Sequence, residues 1–310
     1  MNRTDKIIVL GDNGLLGSAV IKLLHLKGYT NVVGFHYPDI DLTDICQTKL
    51  VFQNEKPDYV FFFAAVAAGI NYKKKHPAEM LLQNVKMIIN VMEQAVLFNC
   101  KKILNVSSAL IYPSLANLPY DENCIESVDL NTVDTPYSLS KAIGIMLSNY
   151  YSLEYDTKFV TAIPCNFFGE NAPFDDDKAS VVSSLIKKMV NAKNSKDENV
   201  EVWGTGNAKR ELLNSKDVAS ACVFLMEKED AFGLFNVGRG EEYSIKEVAE
   251  TIKKVVGYKG RLVFDSSKPE GKQHMLMNVQ KLFKLGWQPS MSLEESIRDA
   301  YDWYIKTIAK

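Results

Sequence analysis

A glycine-rich turn at residue 11, Gly11-Asp-Asn-Gly14-Leu-Leu-Gly17, leaves few folds open to this 310-residue chain. The turn directly follows an apolar run, Lys6–Leu10 (KIIVL), and directly precedes a helical pattern from Leu15 to Lys27, with Gly28 positioned as its stop. In a strand–turn–helix unit, G-x-x-G-x-x-G has a physical use at each glycine. The first allows the tight turn, the second lets backbone approach a pyrophosphate, and the third lets helix and strand pack closely. The helix start then offers free N–H groups and a positive dipole end to an anion. The loop therefore reads as a dinucleotide site.

The rest of the first half continues the alternation. Asn31–Phe35, Asp58–Phe63, Lys102–Val106 and Phe159–Ile163 read as strands, and Pro77–Phe98 as a long helix. Thr135-Pro136 opens another helix, with Thr at the cap and Pro in the first turn, running to about Tyr155. Asp58–Phe63 (DYVFFF) is apolar throughout its interior, as expected of a parallel strand covered on both faces. The fold class is α/β, a doubly wound parallel sheet. After about Cys165 the alternation breaks down. Glu170 to Ala179 is an Asp-rich loop, and Val181, Val182, Leu185, Ile186, Met189 and Val190 recur at helical spacing. Ser244-Ile-Lys-Glu247 and Ser292-Leu-Glu-Glu295 are capping boxes opening two more helices. The expected division is a nucleotide-binding domain at 1–165 plus about 212–237, and a smaller α+β domain at 166–211 plus 238–310.

Composition excludes several classes. With 36 basic and 38 acidic residues the net charge is −2, so no electrostatic footprint for nucleic acid or an anionic membrane is present. The longest apolar run, Tyr59–Ile70, is shorter than the ~18 residues a membrane span needs. Ile7–Leu10 is too short for a secretory apolar core, which leads to the expectation of a cytoplasmic protein. Five scattered cysteines without C-x-x-C, and four histidines (His25, His36, His76, His274) without helical H-x-x-x-H, give no expected metal site.

The candidate chemistry lies at Tyr137-Ser-Leu-Ser-Lys141, whose four-residue spacing puts both side chains on one helix face. A free tyrosine has a pKa near ~10, and a neighbouring ammonium is expected to lower it. Such a tyrosine delivers a proton to a carbonyl oxygen as hydride reaches carbon, while Lys141 is also free to hold a nicotinamide ribose. Ser107 and Ser108 follow the Lys102–Val106 strand at its carboxyl end, where such sheets bind ligands, and a hydroxyl there can hydrogen-bond the reacting oxygen.

Loop, serine and Y-x-x-x-K together resemble the extended short-chain dehydrogenase/reductase superfamily. Leu104–Pro113 (LNVSSALIYP), Val202–Leu212 (VWGTGNAKREL), Asn236-Val-Gly238 and Val255–Lys268 narrow the resemblance to the GDP-L-fucose synthase family. That family epimerises C3 and C5 of a GDP-4-keto-6-deoxymannose and reduces C4 with NADPH. The resemblance implies a catalytic triad of Ser108, Tyr137 and Lys141. It implies a cofactor site of Gly11, Asn13, Gly14, Leu15, Leu16, Gly17, His36, Asp41, Ala64, Ala65, Ser107, Tyr137, Lys141, Pro164, Asn166 and Phe167. The implied substrate contacts are Ser108, Asn166, Ser180, Lys188, Trp203, Arg210 and Asn278, with Trp203 against guanine and Arg210 near the diphosphate. A homodimer through the Pro77–Phe98 and Pro136–Tyr155 helices is implied by analogy.

The chain also departs from the family. Leu110 stands where the epimerase cysteine would be, and Ser180 where its partner histidine would be. The two arginines that grip the NADP 2′-phosphate align with Asn13 and Phe35. The stretch Gly34-Phe35-His36-Tyr37-Pro38 holds neither Asp nor Arg, so NADPH is expected and NADH possible, with His36 either a phosphate contact or a solvated loop residue. The resulting expectation is a C4-reductase of a GDP-4-keto sugar, a 6-deoxyhexose or a heptose as in bacterial surface polysaccharides or capsule, without epimerisation. The alternatives are an NAD-retaining C4-epimerase, a bifunctional GDP-L-fucose synthase, and a non-catalytic nucleotide-binding protein.

Overall fold

Alternate residues of the first strand, β1 (Ile7–Leu10), belong to different cores. Ile7 and Val9 pack with Leu16, Val20 and Leu24 of helix α1 (Leu15–Leu26), whereas Ile8 and Leu10 join Val51 and Phe52 of α2 (Ile45–Glu55). A strand whose two sets of side chains both meet apolar cover must lie inside a sheet layered by helices on both sides. The computed structural model describes residues 1–67, 75–113, 116–127, 136–175, 179–268 and 270–309.

The main sheet runs through β1, β2 (Val32–Phe35), β3 (Tyr59–Phe62), β4 (Lys102–Val106) and β5 (Lys158–Pro164). It ends at a strand from late in the chain, Gly233–Val237, and all of its pairings are parallel. From one edge the order is Gly233–Val237, β5, β4, β3, β1, β2. The chain therefore moves outward from β1 to β2, then crosses back to β3. Between β1 and β3 the strand order reverses, which opens a crevice at the carboxyl ends of these strands. Helices α3 (Pro77–Leu97) and α4 (Pro136–Glu154) pack against each other on one side. Thr135, expected as the cap of α4, lies outside the described residues.

Beyond β5 the chain builds a second group of elements. These are β6 (Asn166–Phe168), α5 (Val181–Ser195), β7 (Asn199–Trp203), β8 (Lys209–Arg210), β9 (Leu212–Asn214) and α6 (Ser215–Glu227). The sheet strand β10 (Gly233–Val237), β11 (Tyr243–Ser244), α7 (Ile245–Val256), β12 (Arg261–Asp265), α8 (Gln280–Lys284) and α9 (Leu293–Thr307) follow. A separate apolar core joins Leu185, Ile186 and Met189 of α5, Val248 and Ile252 of α7, and Ile297 of α9. At about 1.5–3 kcal/mol for each large side chain removed from water, this core holds its three helices together without the main sheet. Helix α6 instead packs on α1 beside the main sheet.

Candidate active site

At Gly11 the backbone has φ 91°, and an added Cβ would lie 2.7 Å from the Ala64 backbone nitrogen. At Gly17 an added Cβ would run into the Gly11 carbonyl. These approaches hold the turn after β1 against the end of β3, at the reversal of the sheet. Gly14, the residue before α1, is extended and supplies no side-chain cap, so the first-turn amides of α1 face the crevice uncapped.

Three cavities follow one another from this point. The central one, about 790 Å³, is walled by Leu15, Leu16 and Gly17 on one side and by Ser107, Ser108, Tyr137 and Lys141 on another, with Pro164, Asn166 and Phe167 below. A cavity of about 530 Å³ shares Gly11, Gly14 and Ala65 with it and adds Asn13, His36, Asp41 and Ala64. A third, about 390 Å³, shares Ser180 and Arg210 with the central cavity and adds Lys188 and Trp203. Every residue expected at the cofactor thus lines one of the first two cavities. Each expected substrate residue except Asn278 lines the central or third.

Asn278 is engaged elsewhere. Its Nδ2 donates to Asp121 Oδ2 at 2.9 Å, its Oδ1 accepts from Gln280 N at 3.1 Å, and its carbonyl accepts from Asn236 Nδ2 at 3.0 Å. Its amide stabilises the chain before α8, and it lines none of the three cavities.

Tyr137 and Lys141 share one face of α4, with Lys141 Nζ 5.6 Å from the centre of the Tyr137 ring. The ammonium donates to the Val106 carbonyl at 2.8 Å, which ties α4 to the end of β4. Burial pushes the Lys141 ammonium down to about 8 and the Tyr137 phenol up to about 12. The sequence expectation of a lowered tyrosine pKa is therefore corrected: loss of solvent penalises both charged forms and is the cause that shifts each group. The phenol accordingly keeps its proton at neutral pH, as a proton donor must. Ser108 Oγ accepts from Leu110 N at 3.3 Å, leaving its own O–H to donate into the cavity. Ser107 Oγ is buried with no partner among the described residues, on a cavity wall where a bound ligand can satisfy it.

At the far end, Trp203 is 55% exposed, with its Nε1–H donated to Glu201 Oε1 at 2.8 Å. Lys188 and Lys268 place Nζ 5.6 and 6.0 Å from a ring of this indole. An exposed indole face flanked by two cations suits a planar base attached to phosphates. Arg210 donates from Nη1 to the carbonyls of Lys209 and Lys272, each at 2.6 Å, and from Nη2 to that of Glu270 at 2.8 Å. Its Nε–H and one Nη2–H have no acceptor among the described residues and can be offered to phosphate oxygens. The Glu270–Lys272 segment that orients this arginine was not singled out from sequence. Its contribution is made by main-chain carbonyls, which leave no residue signature.

Leu110 and Ser180 both line the central cavity. Leu110 is apolar, and Ser180 Oγ caps α5 by accepting from Ser183 N at 3.2 Å. Cys165 also lines this cavity, but it is 4% exposed and burial raises its thiol well above the usual range. Asp176 and Asp177 of the neighbouring loop lie outside the described residues.

Asp12 was not singled out from sequence either. The stretch Gly34–Pro38 holds no acidic residue, yet the turn after β1 brings the Asp12 carboxylate onto His36, with Oδ1 2.8 Å from Nδ1. Spatial adjacency of β1 and β2 puts it there, not sequence position.

Known proteins show which family the chain belongs to. The family model "NAD dependent epimerase/dehydratase family" matches residues 7–238. A GDP-L-fucose synthase of Arabidopsis thaliana is 35% identical over 307 residues, covering 99% of this chain and 95% of the relative. A GDP-6-OMe-4-keto-L-xylo-heptose reductase from C. jejuni superposes with a TM-score of 0.90 at 29% identity, over 99% of each chain. A GDP-mannoheptose C4 reductase from Campylobacter jejuni, with NADP bound, gives 0.88 at 29% identity over 98% of this chain and 99% of that one. The chain therefore belongs to the NAD dependent epimerase/dehydratase family of extended short-chain dehydrogenase/reductases, as a homologue of the GDP-L-fucose synthases.

Proposed function

We propose that the protein reduces the C4 ketone of a GDP-4-keto sugar, a 6-deoxyhexose or a heptose, with NADPH as donor and without epimerising C3 or C5. The observation that supports this is the content of the central cavity. It gathers the phosphate turn with Ser108, Tyr137 and Lys141, while the wall positions expected of the epimerase pair are Leu110 and Ser180.

The residues fit a nicotinamide nucleotide. The uncapped start of α1 suits its diphosphate, and Ser107 Oγ offers an unmatched buried hydroxyl. When bound, a reduced nicotinamide supplies the hydride. Tyr137 then gives its phenolic proton to the ketone oxygen, Ser108 holds that oxygen by a hydrogen bond, and the Lys141 ammonium stabilises the phenolate left behind. Arg210 receives the substrate diphosphate on its open edge, and Trp203 stacks on the guanine. Asn166 supports the substrate from below.

Epimerisation requires an acid and a base on opposite faces of the sugar, each titrating near neutrality. Among the described wall residues no such pair is present: Leu110 cannot ionise, Ser180 has no activating base, and the Cys165 thiol resists ionisation. In D₂O, with a GDP-4-keto sugar and no NADPH, the protein should not speed deuterium entry at C3 or C5 above the blank. Enzyme-dependent exchange at either carbon would remove the reductase-only reading.

The proposed assembly is a homodimer through α3 and α4. Leu82 and Ile89 on α3, and Met146, Tyr150 and Leu153 on α4, are exposed on two helices that pack side by side. Among the described residues no helix is long and apolar enough to cross a membrane.

A further inference from the structure

We propose that Lys272 is a positioning residue for the reduction: it hooks the segment that aims Arg210 onto the turn that carries Ser108. The grip on the substrate diphosphate thereby stays in register with the hydrogen bond at the reacting oxygen. The proposal rests on the reading of Arg210 and Ser108 as substrate contacts. It starts from one residue bonded towards both. The Lys272 carbonyl accepts from Arg210 Nη1 at 2.6 Å, and Lys272 Nζ donates to the Tyr112 carbonyl at 3.0 Å.

The serine side of this link is rigid. From Ser108 to Tyr112 the chain makes one tight turn, with Ile111 N donating to the Ser108 carbonyl at 3.1 Å and Tyr112 N to the Ala109 carbonyl at 3.3 Å. Tyr112 is 1% exposed. Its hydroxyl donates to Asn236 Oδ1 at 2.7 Å, and its ring stacks on Tyr120 with centroids 4.9 Å apart. A side chain packed and bonded in this way cannot follow the movement of a surface segment, so the turn is the fixed end. The arginine side is the end that needs holding. The carbonyls of Glu270 and Lys272 both accept from the guanidinium, and at Gly271 (φ 73°) between them an added Cβ would lie 3.0 Å from Arg210 Nη2. The guanidinium thus lies against a cradle of main chain, and the position of that cradle sets its direction. Two fastenings of the cradle, Lys209 N to the Gln273 carbonyl at 2.8 Å and Thr205 N to Glu270 Oε1, run to β8 and the turn before it. The Lys272 ammonium is what ties it to the serine turn.

Lys272 lines none of the three cavities, so it acts through Arg210 and not on the substrate. Binding energy from a remote part of a substrate speeds the reaction only when it brings the reacting atom to the right place. A displacement of about 1 Å can cost about a hundredfold in rate. Without the ammonium hook, Arg210 keeps its three carbonyl partners and can still receive a diphosphate. What is lost is the fixed distance between that grip and the Ser108 and Tyr137 hydroxyls at the ketone.

The experiment compares the full chain with Lys272→Met, Lys272→Arg, Arg210→Ala and the double variant Lys272→Met/Arg210→Ala. Calorimetry gives the Kd of GDP and of NADPH, and NADPH oxidation gives kcat and KM for a GDP-4-keto sugar. Lys272→Met should lower kcat by about tenfold or more. Its Kd for GDP and for NADPH should stay within about twofold of the original, because neither ligand touches the altered side chain. Lys272→Arg keeps a cationic donor at this position and should retain most of kcat. In the Arg210→Ala background, Lys272→Met should have no further effect on kcat/KM, since the link has lost the end that it positions. Four results would each overturn the proposal while leaving the reductase reading intact: an unchanged kcat in Lys272→Met, GDP binding weakened in step with kcat, losses that multiply in the double variant, or a Lys272→Arg protein as slow as Lys272→Met. A Lys272→Met protein that no longer binds NADPH would also overturn it, by showing that the bond holds the fold together and not the grip in register. Absence of turnover by the unaltered chain would overturn both readings.

Discussion

At the scale of single residues, the proposed chemistry depends on two groups whose ionisation is set by burial. The Tyr137 phenol, pushed up to about 12, holds its proton through neutral pH, and the Lys141 ammonium, pushed down to about 8, still carries its charge there. If Tyr137 is the proton donor, Tyr137→Phe should lower ketone reduction by about 10²–10⁴, the usual worth of a general acid, with GDP-sugar affinity nearly unchanged. A phenylalanine variant with the original turnover would exclude it. The pH dependence has a definite sign. Below about 8 both groups are protonated and the rate should be level. Above it Lys141 loses the charge that stabilises the phenolate, so the rate should fall by about tenfold per pH unit while NADPH remains bound. A stopped-flow profile that stays flat well beyond that point would show that the ammonium charge is not needed.

At the scale of elements, local signals were legible where a single turn carries them. Both S-x-x-E boxes form. Ser244 Oγ accepts from Glu247 N at 3.1 Å and Ser292 Oγ from Glu295 N at 3.3 Å, with each glutamate bonded back to its serine. Removing the second cap by Ser292→Ala should destabilise the fold by about 1 kcal/mol, seen as a lower denaturation midpoint. An unchanged midpoint would mean that burial of Ile297 and Tyr304 alone holds α9. Helix α2 escaped the sequence reading because it has little of the pattern that reveals a helix. Only Thr48, Val51 and Phe52 of its residues are buried, and it ends at Lys56 in a left-handed conformation (φ 45°) without a glycine. Its one signal is Asp44, whose Oδ1 accepts from Cys46 N at 2.8 Å.

At the scale of the whole molecule, the groove exists because three separate bodies of chain meet. The turn after β1, the ends of β4 and β5, and the start of α5 with β8 all wall the central cavity. Glu211 helps hold these parts in register. Its buried carboxylate accepts from Gly240 N at 2.7 Å, Met277 N at 2.9 Å and Arg239 N, joining the segment after β8 to two distant loops. The proposed homodimer belongs to this scale. Leu153, 84% exposed, and Tyr150, 60% exposed, form one stripe of α4. Replacing both with glutamate should yield a monomer by light scattering, because two charges cannot be buried unpaired in an apolar interface. A double variant that keeps the original mass would place the interface elsewhere.

Sequence alone determined what is encoded within one strand–turn–helix unit or one helical turn: the phosphate loop, the shared face of Tyr137 and Lys141, the two capping boxes and the alternation that makes the sheet. These follow from local spacing, because backbone geometry repeats on that scale. Only the tertiary structure decided that Asp12 meets His36, that Arg210 is aimed by the carbonyls of Glu270 and Lys272, and that Asn278 turns away to Asp121. The same holds for the direction in which Tyr137 is shifted. Each of these depends on which distant segments come together and on how much water they exclude, and neither quantity is carried by the spacing of residues along a chain.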